Sequence, residues 1–402
     1  MNPNLSKLQP YPFQRLKELC SNVTPCADYS PIDLSIGEPK HRPPEFVLDA
    51  LKAALSGVSK YPPTPGSAAL REVIAQWISQ RIQLPDSSLT PDRHVLPVNG
   101  TREALFAIAQ CLFDPSADKP LIVMPNPFYQ IYEGAALLAG AEPRFYNTPQ
   151  SLDYQPDFES IDKATWQQCQ MLYLCTPGNP SGAVISQQTL QHLIELAIEH
   201  DFVIVSDECY SEIYPEESTP PAGLLQAAAA MGNTRYRNCL VFNSLSKRSN
   251  LPGLRSGFVA GQAELIKAFA LYRTYHGSAM PVHTDAASQA AWGDESHVVE
   301  NRQRYREKYD AVLDALRPTL NLARPDAGFF LWPQLKRSDT EFTRICLAEK
   351  NVKVLPGSYL SRSADGNSPG TGQIRMALVA PITECVEAAK RLADLLGTQG
   401  RE

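Results

Sequence analysis

A lone lysine sits among small hydroxyl residues in Ser244-Leu245-Ser246-Lys247-Arg248-Ser249-Asn250, and Arg255 follows a short loop later. A neutral lysine amine forms an imine with an aldehyde, and burial or nearby positive charge favours that neutral form. Ser244, Ser246 and Arg255 are the donors a phosphate needs, and an arginine can grip phosphate with two bonds. An aldehyde and a phosphate on one small molecule describe pyridoxal phosphate. A basic surface loop has the same composition, and this segment by itself favours that plainer alternative.

Three more segments change the balance. The apolar run Phe202-Val203-Ile204-Val205-Ser206 ends in Asp207, followed by Tyr210. Open α/β sheets hold ligands beyond the carboxyl ends of such strands. A carboxylate there can keep a pyridine nitrogen protonated, and Tyr210 can donate to the ring's phenolic oxygen. A helix-capping aspartate is the alternative. In Met171-Leu172-Tyr173-Leu174-Cys175-Thr176-Pro177-Gly178-Asn179-Pro180-Ser181-Gly182 a strand runs into a stiffened loop. Asn179 is held extended before Pro180, and its amide can meet cofactor and substrate; a plain turn uses the same residue types. In His94-Val95-Leu96-Pro97-Val98-Asn99-Gly100-Thr101-Arg102 a short strand reaches Gly100, where a helix begins. A helix N-terminus is an anion site, although this segment by itself favours the plainer alternative of Thr101 as a simple N-cap.

Gly100-Thr101-Arg102, Asn179-Pro180-Ser181-Gly182, Asp207 with Tyr210, and Ser244/Lys247/Arg255 occur in the order of the class I/II aminotransferases of PLP fold type I, and the chain resembles that family from about Ile32 to Leu395. Asn2-Pro3-Asn4-Leu5, Leu8-Gln9-Pro10-Tyr11-Pro12-Phe13, Ser246-Lys247-Arg248-Ser249-Asn250 and Tyr272-Arg273-Thr274-Tyr275-His276-Gly277 are most similar to the proteobacterial succinyldiaminopimelate aminotransferases. The resemblance implies an α/β fold: a large domain with a mainly parallel seven-stranded sheet between helices, and a smaller α+β domain from the two chain ends. It implies Lys247 as the Schiff-base lysine and proton carrier, and cofactor contacts from Gly100, Thr101, Arg102, Asn179, Asp207, Tyr210, Ser244, Ser246 and Arg255. Tyr129, or its neighbour Phe128, would stack on the pyridine ring; Phe128, Tyr129 and Tyr132 as core aromatics is the alternative. Tyr61 would reach the phosphate of a neighbouring subunit in a homodimer, and His276 would face the substrate. Gly37 would let backbone approach the substrate, and Arg375 would clamp its α-carboxylate. Arg375 also stands out unaided, because a charge inside the apolar strand Gln373-Ile374-Arg375-Met376-Ala377-Leu378 needs a partner. That partner is a ligand carboxylate or an internal acid. The implied reaction is transamination between N-succinyl-LL-2,6-diaminopimelate and 2-oxoglutarate, in lysine and diaminopimelate biosynthesis. Arg15, Arg248 and Arg273 are candidates for the distal carboxylates. An aromatic, branched-chain or acetylornithine-like donor, or β-elimination on the same fold, remains an alternative, since fold does not fix reaction. A cofactor-binding regulator is a third, but its N-terminal segment is too short for a DNA-binding module.

Composition agrees with an enzyme of small molecules. The chain has 402 residues, 43% hydrophobic and 20% charged, enough for two domains. A formal charge of −6 argues against nucleic acid and anionic membranes as partners. No apolar stretch is long enough to span a bilayer, and the N-terminus lacks signal-peptide character. Nine cysteines without a Cys-x-x-Cys pair suit a reducing cytoplasm, and the seven histidines form no metal-ligand set. Cys209 reads as packing.

These residues need elements to position them. Strands are expected at 94–98, 120–124, 142–146, 170–175, 202–206, 239–243 and 255–260, and helices at 67–82, 100–113, 129–139, 186–200 and 262–275. Alternating strands and helices give a parallel sheet covered on both faces. A long helix over 294–317 leads into a C-terminal part with strands at 327–332 and 373–378. The domains are therefore 1–45 (an arm and part of the small domain), 46–293 (large, cofactor-binding) and 294–402 (small). The proline-rich first thirty residues show little periodicity and are expected to form an arm over the site or a partner, and the loop 361–370 is expected to be mobile.

Overall fold

The computed structural model describes every residue except 321, 365, 367 and 400–402. Its strands are β1 (Ile32–Asp33), β2 (Val95–Val98), β3 (Leu121–Asn126), β4 (Glu142–Asn147), β5 (Cys169–Cys175), β6 (Val203–Asp207), β7 (Cys239–Ser244), β8 (Gly257–Gly261), β9 (Phe330–Leu331), β10 (Val352–Lys353), β11 (Leu355–Pro356) and β12 (Ile374–Ala377). The apolar runs β2 to β8 form one seven-stranded sheet in the order β2-β8-β7-β6-β5-β3-β4. Neighbours from β7 to β4 pair in parallel, and only β8 runs against its two partners. Such strands read as continuous apolar runs because both faces are covered. Side chains alternate between two cores: Leu172, Leu174 and Val241 pack on one face, Met171, Tyr173, Leu240 and Phe242 on the other. The helices Thr101–Leu112, Gln130–Ala139 and Ala263–His276 cover the second face. Ala68–Arg81, Gln187–His200, Leu224–Ala230 and Val282–Trp292 cover the first.

The two ends of the chain meet in a separate core. β1 pairs in parallel with β10, and β11-β12-β9 form an antiparallel sheet. Leu34, Val312, Phe342, Val354, Met376 and Leu392 pack together under these strands. The long polar helix Ser296–Leu316 runs alongside the C-terminal helix Ile382–Gln399.

The expected strands and helices of the large sheet occur within two residues of their predicted ends. The N-terminal segment departs from expectation: Pro12–Leu19 is a helix, started by proline and anchored by Leu16 against Trp332, Leu355 and Leu360. The helix Val282–Trp292 was not expected, since its buried face is carried by Ala, Ser and Thr rather than large apolar residues. The strand expected over 327–332 shrinks to Phe330–Leu331, after Gly328 turns the chain at φ +80°. In the loop 361–370, Ser361 is buried, and Arg362 forms a two-bond ion pair with Glu133 at 2.8 and 2.7 Å. That part is held rather than mobile; residues 365 and 367 of the expected loop lie outside the described residues.

Candidate active site

β5, β6 and β7 end side by side, and the residues just beyond them face one cleft of about 530 Å3. This is where an open parallel sheet offers its strand ends to a ligand. Asp207, Asn179, Tyr210, Lys247, Tyr129 and Arg375 all line it.

Asp207 closes β6 and is 5% exposed. Its Oδ2 accepts from the Tyr132 hydroxyl at 2.7 Å, and Oδ1 accepts from the Cys209 amide at 3.2 Å. Burial raises its pKa, opposed by these two donors. The helix-cap alternative fails, because the next helix starts only at Leu224.

Lys247 lies in the single turn Leu245–Arg248 that follows β7, inside the cleft and not on a surface loop. Burial lowers its pKa to about 8, with nearby Arg375 acting in the same direction. Its Nζ donates to the Gly37 carbonyl. Gly37 must lack a side chain there, since a Cβ would stand 2.8 Å from the Phe330 ring.

The same cleft also holds an anion cradle. The helix Thr101–Leu112 begins at Gly100 without a side-chain cap, so its first N–H groups are free and Thr101 is not an N-cap. Thr101 Oγ1 instead lies 3.1 Å from Cys209 Sγ, which is 3.6 Å from Ser244 Oγ. Gly100 has φ +83°, and a Cβ on it would come within 2.4 Å of Arg255 Nη2. Among the described residues Arg255 bonds only backbone carbonyls, of Pro252 at 2.8 Å and Asn99 at 3.5 Å. Ser244, Ser246 and Arg255 line the same cleft. An unpaired guanidinium, free helix N–H groups and hydroxyls match a phosphate.

Arg375, on β12, enters from the small sheet. It is 4% exposed, and burial lowers its pKa to about 10. Nη1 donates to Asn179 Oδ1 and Nη2 to the Ser35 carbonyl, both at 2.9 Å, while Nε is buried with no partner among the described residues. No carboxylate among the described residues pairs with it, so the internal ion pair is absent. Asn179 is followed by a cis peptide to Pro180, and with its Oδ1 committed to Arg375 it keeps its amide NH2 for a ligand.

Tyr129, not Phe128, faces the cleft. Phe128 is 1% exposed in the core, while the Tyr129 hydroxyl accepts from Arg102 Nε at 2.6 Å. Arg102 Nη2 also donates to the Tyr11 hydroxyl at 3.2 Å, so the N-terminal arm does reach the cleft.

Several expectations fail. Arg248 is fully buried between Trp77 and Trp292 and paired with Glu295; Arg273 is fully buried and paired with Glu103. Neither lines the cleft, and each charge is already neutralised. Arg15 stacks on Tyr359, 3.9 Å from the ring centroid, and also stays outside. His276 lies outside as well, against Ser278 and Glu103. The expectation for Tyr61 concerns a neighbouring subunit and is a separate matter: on its own chain Tyr61 is fully exposed and lies outside this cleft. Tyr132, read as a core aromatic, is the residue whose place in the site was missed; its spacing of three from Tyr129 on one helix was the available signal.

A parallel sheet whose strand ends gather a depressed lysine, a buried carboxylate, an anion cradle and an unpaired arginine defines a binding fold for a phosphorylated aldehyde. The sequence signature of the family described as "Aminotransferase class I and II" matches residues 29–392, and the chain belongs to that family. It is a pyridoxal phosphate-dependent aminotransferase. It is 44% identical to an aminotransferase from Neisseria meningitidis Z2491, with a TM-score of 0.94 over 98% of this chain and 100% of the other. An LL-diaminopimelate aminotransferase from Desulforudis audaxviator is 28% identical over 98% of this chain and 97% of that protein. A "probable N-succinyldiaminopimelate aminotransferase" from Thermus thermophilus is 27% identical, with a TM-score of 0.83 over 96% of this chain and all of that one.

Proposed function

We propose that this aminotransferase exchanges the amino group of N-succinyl-LL-2,6-diaminopimelate with 2-oxoglutarate, in lysine and diaminopimelate biosynthesis. The observation that carries the keto-acid chemistry is Arg375: buried, aimed into the cleft beside Asn179, and lacking a carboxylate of its own. A substrate α-carboxylate supplies the missing bonds. The likeness to the Thermus protein and the cleft volume of about 530 Å3 support a long, branched donor. Arg15, Arg248 and Arg273 lie outside the cleft and are not carried forward as candidates for the distal anionic end. The names of the curated relatives favour a second reading, LL-2,6-diaminopimelate itself, whose distal end keeps an ammonium where the first donor carries an amide.

Pyridoxal phosphate, when bound, supplies an aldehyde to carry the amino group and a ring to take up the electron pair that Cα releases. In this reading Lys247 would hold the cofactor through its aldehyde carbon, and its Nζ, when the donor's amine has taken its place, would serve as the base for the substrate Cα proton. Asp207 would hold a proton on the ring nitrogen, Tyr210 and Asn179 would donate to the ring oxygen, and Tyr129 would stack on the ring. Gly100, Thr101, Arg102, Ser244, Ser246 and Arg255 hold the phosphate, joined by Tyr61 of a second subunit. Gly37 and Asn179 line the substrate's place beside Arg375. The exposed run Leu55, Val58 and Tyr61 supports a homodimer, and nine unpaired cysteines support a cytoplasmic setting. We infer a large unit over 46–293 and a small one from 1–45 and 294–402, supported by the pairing of β1 with β10.

The test is a donor screen with purified protein and 2-oxoglutarate. N-succinyl-LL-2,6-diaminopimelate is expected to give the highest kcat/KM. A higher value for LL-2,6-diaminopimelate selects the second reading, and a higher value for aromatic or branched-chain donors overturns both.

A further inference from the structure

Tyr132 is fully buried, yet its hydroxyl reaches the floor of the cleft and donates to Asp207 Oδ2 at 2.7 Å. Its ring is fixed from two sides. It stacks on Tyr173 with centroids 4.7 Å apart at 17°, and meets Tyr129 edge-on at 5.7 Å and 88°. Tyr173 is itself anchored, donating to the Leu105 carbonyl at 2.6 Å. The phenol therefore points at one carboxylate oxygen, with the Cys175 thiol also against its hydroxyl and the Cys209 thiol and Lys247 amine on the Asp207 side. The other Asp207 oxygen is held by the Cys209 amide.

A donor on a carboxylate stabilises its ionised form, and in a dry site the effect is large. We propose that Tyr132 is a positioning residue that keeps Asp207 ionised and oriented, and so sets how strongly Asp207 holds the cofactor's pyridine ring as a cation. This rests on the reading of Asp207 as the ring-nitrogen partner. Tyr129 then has two neighbours with separate duties: Arg102 fixes its hydroxyl and Tyr132 braces its ring.

The test uses pyridoxine 5'-phosphate, which has the ring and phosphate but no aldehyde, so binding is read without Lys247 chemistry. The full-length cofactor-free protein is titrated with it between pH 5 and 9, as wild type, Tyr132→Phe, Tyr173→Phe and Asp207→Asn. Tyr132→Phe removes one hydroxyl from Asp207. Tyr173→Phe removes an equally buried hydroxyl from the same stack without touching the carboxylate. Tyr132→Phe is expected to weaken binding about tenfold near neutral pH, the size of a lost bond to a charged group. It should also move the acid limb of binding upward by about one pH unit. Tyr173→Phe should stay within about twofold of wild type, since its hydroxyl serves only the core. Tyr132→Phe matching Tyr173→Phe in affinity and pH profile overturns the inference alone. An acid limb that survives unchanged in Asp207→Asn overturns the reading of Asp207, and this inference with it.

Discussion

Arg375 donates to Asn179 Oδ1 at 2.9 Å, and this bond ties β12 of the small sheet to the loop that leaves β5 of the large one. The two residues are 196 positions apart in the chain. The guanidinium is thus oriented by a side chain that itself faces the cleft. Removing the arginine should leave the cofactor bound and impair recognition of the keto acid. For Arg375→Ala, kcat/KM is expected to fall by at least about a hundredfold, the size of two lost charge-assisted bonds. Cofactor affinity should change little. Near-normal kinetics with 2-oxoglutarate would show that another cation holds the carboxylate.

Lys247→Ala should abolish turnover, and borohydride treatment of the cofactor-loaded protein should label Lys247 in wild type alone. Peptide mass mapping checks the label. A trapped adduct on any other lysine removes the central assignment.

The lowered pKa of Lys247 has two measurable consequences. Its amine is neutral above about pH 8 instead of 10.5. Covalent reconstitution of cofactor-free protein should therefore speed up through pH 7 to 8 and then level off. Between about 8 and 10.5 the unfolded chain binds this proton and the folded chain does not, so stability rises with pH in that window. Lys308, also lowered to about 8, acts with the same sign. Denaturant titrations of wild type and Lys247→Met across this range isolate the Lys247 share. Lys247→Met should be the more stable protein at pH 7, with the difference vanishing toward pH 10.5. An advantage that is constant with pH would mean the amine is not the cause.

Gly100→Ala tests the anion cradle. The backbone there, at φ 83° and ψ 156°, costs a side chain about 1–3 kcal/mol. The added methyl also displaces the Arg255 guanidinium, which would lie 2.4 Å away. Loss of cofactor affinity by about tenfold or more is expected, with phosphate-free pyridoxal binding affected far less. Equal losses for both vitamers would argue for general damage to the fold.

Tyr61 offers a test of assembly. It is fully exposed on its own chain, so in a monomer Tyr61→Ala would be silent. In the proposed homodimer it should weaken cofactor binding several-fold, and sedimentation should give twice the chain mass of 44.3 kDa. A monomer of full activity would discard the shared site.

Much of this molecule is legible without coordinates. Apolar runs such as Cys239–Ser244 read as covered strands because they are too short for a typical buried helix and are bounded by turn signals. Lys247, Asp207, Asn179 and Arg255 sit at the ends of those runs, so their meeting at one sheet edge follows from strand order. Arg375 announced itself as a charge in an apolar strand, and its lack of an acid partner among the described residues completes that argument. Charge identity alone misled at Arg248 and Arg273, where Glu295 and Glu103 arrive from distant segments and take the cations into the core. Tyr132 was indistinguishable from a core aromatic, since its ring is one and only its hydroxyl does otherwise. Sequence determines which stretches must be buried and which chemistries the chain owns, because periodicity and residue type are local. Only the tertiary structure decides which charges are spent on each other and which are left for a ligand, because that depends on pairings between residues far apart in the chain.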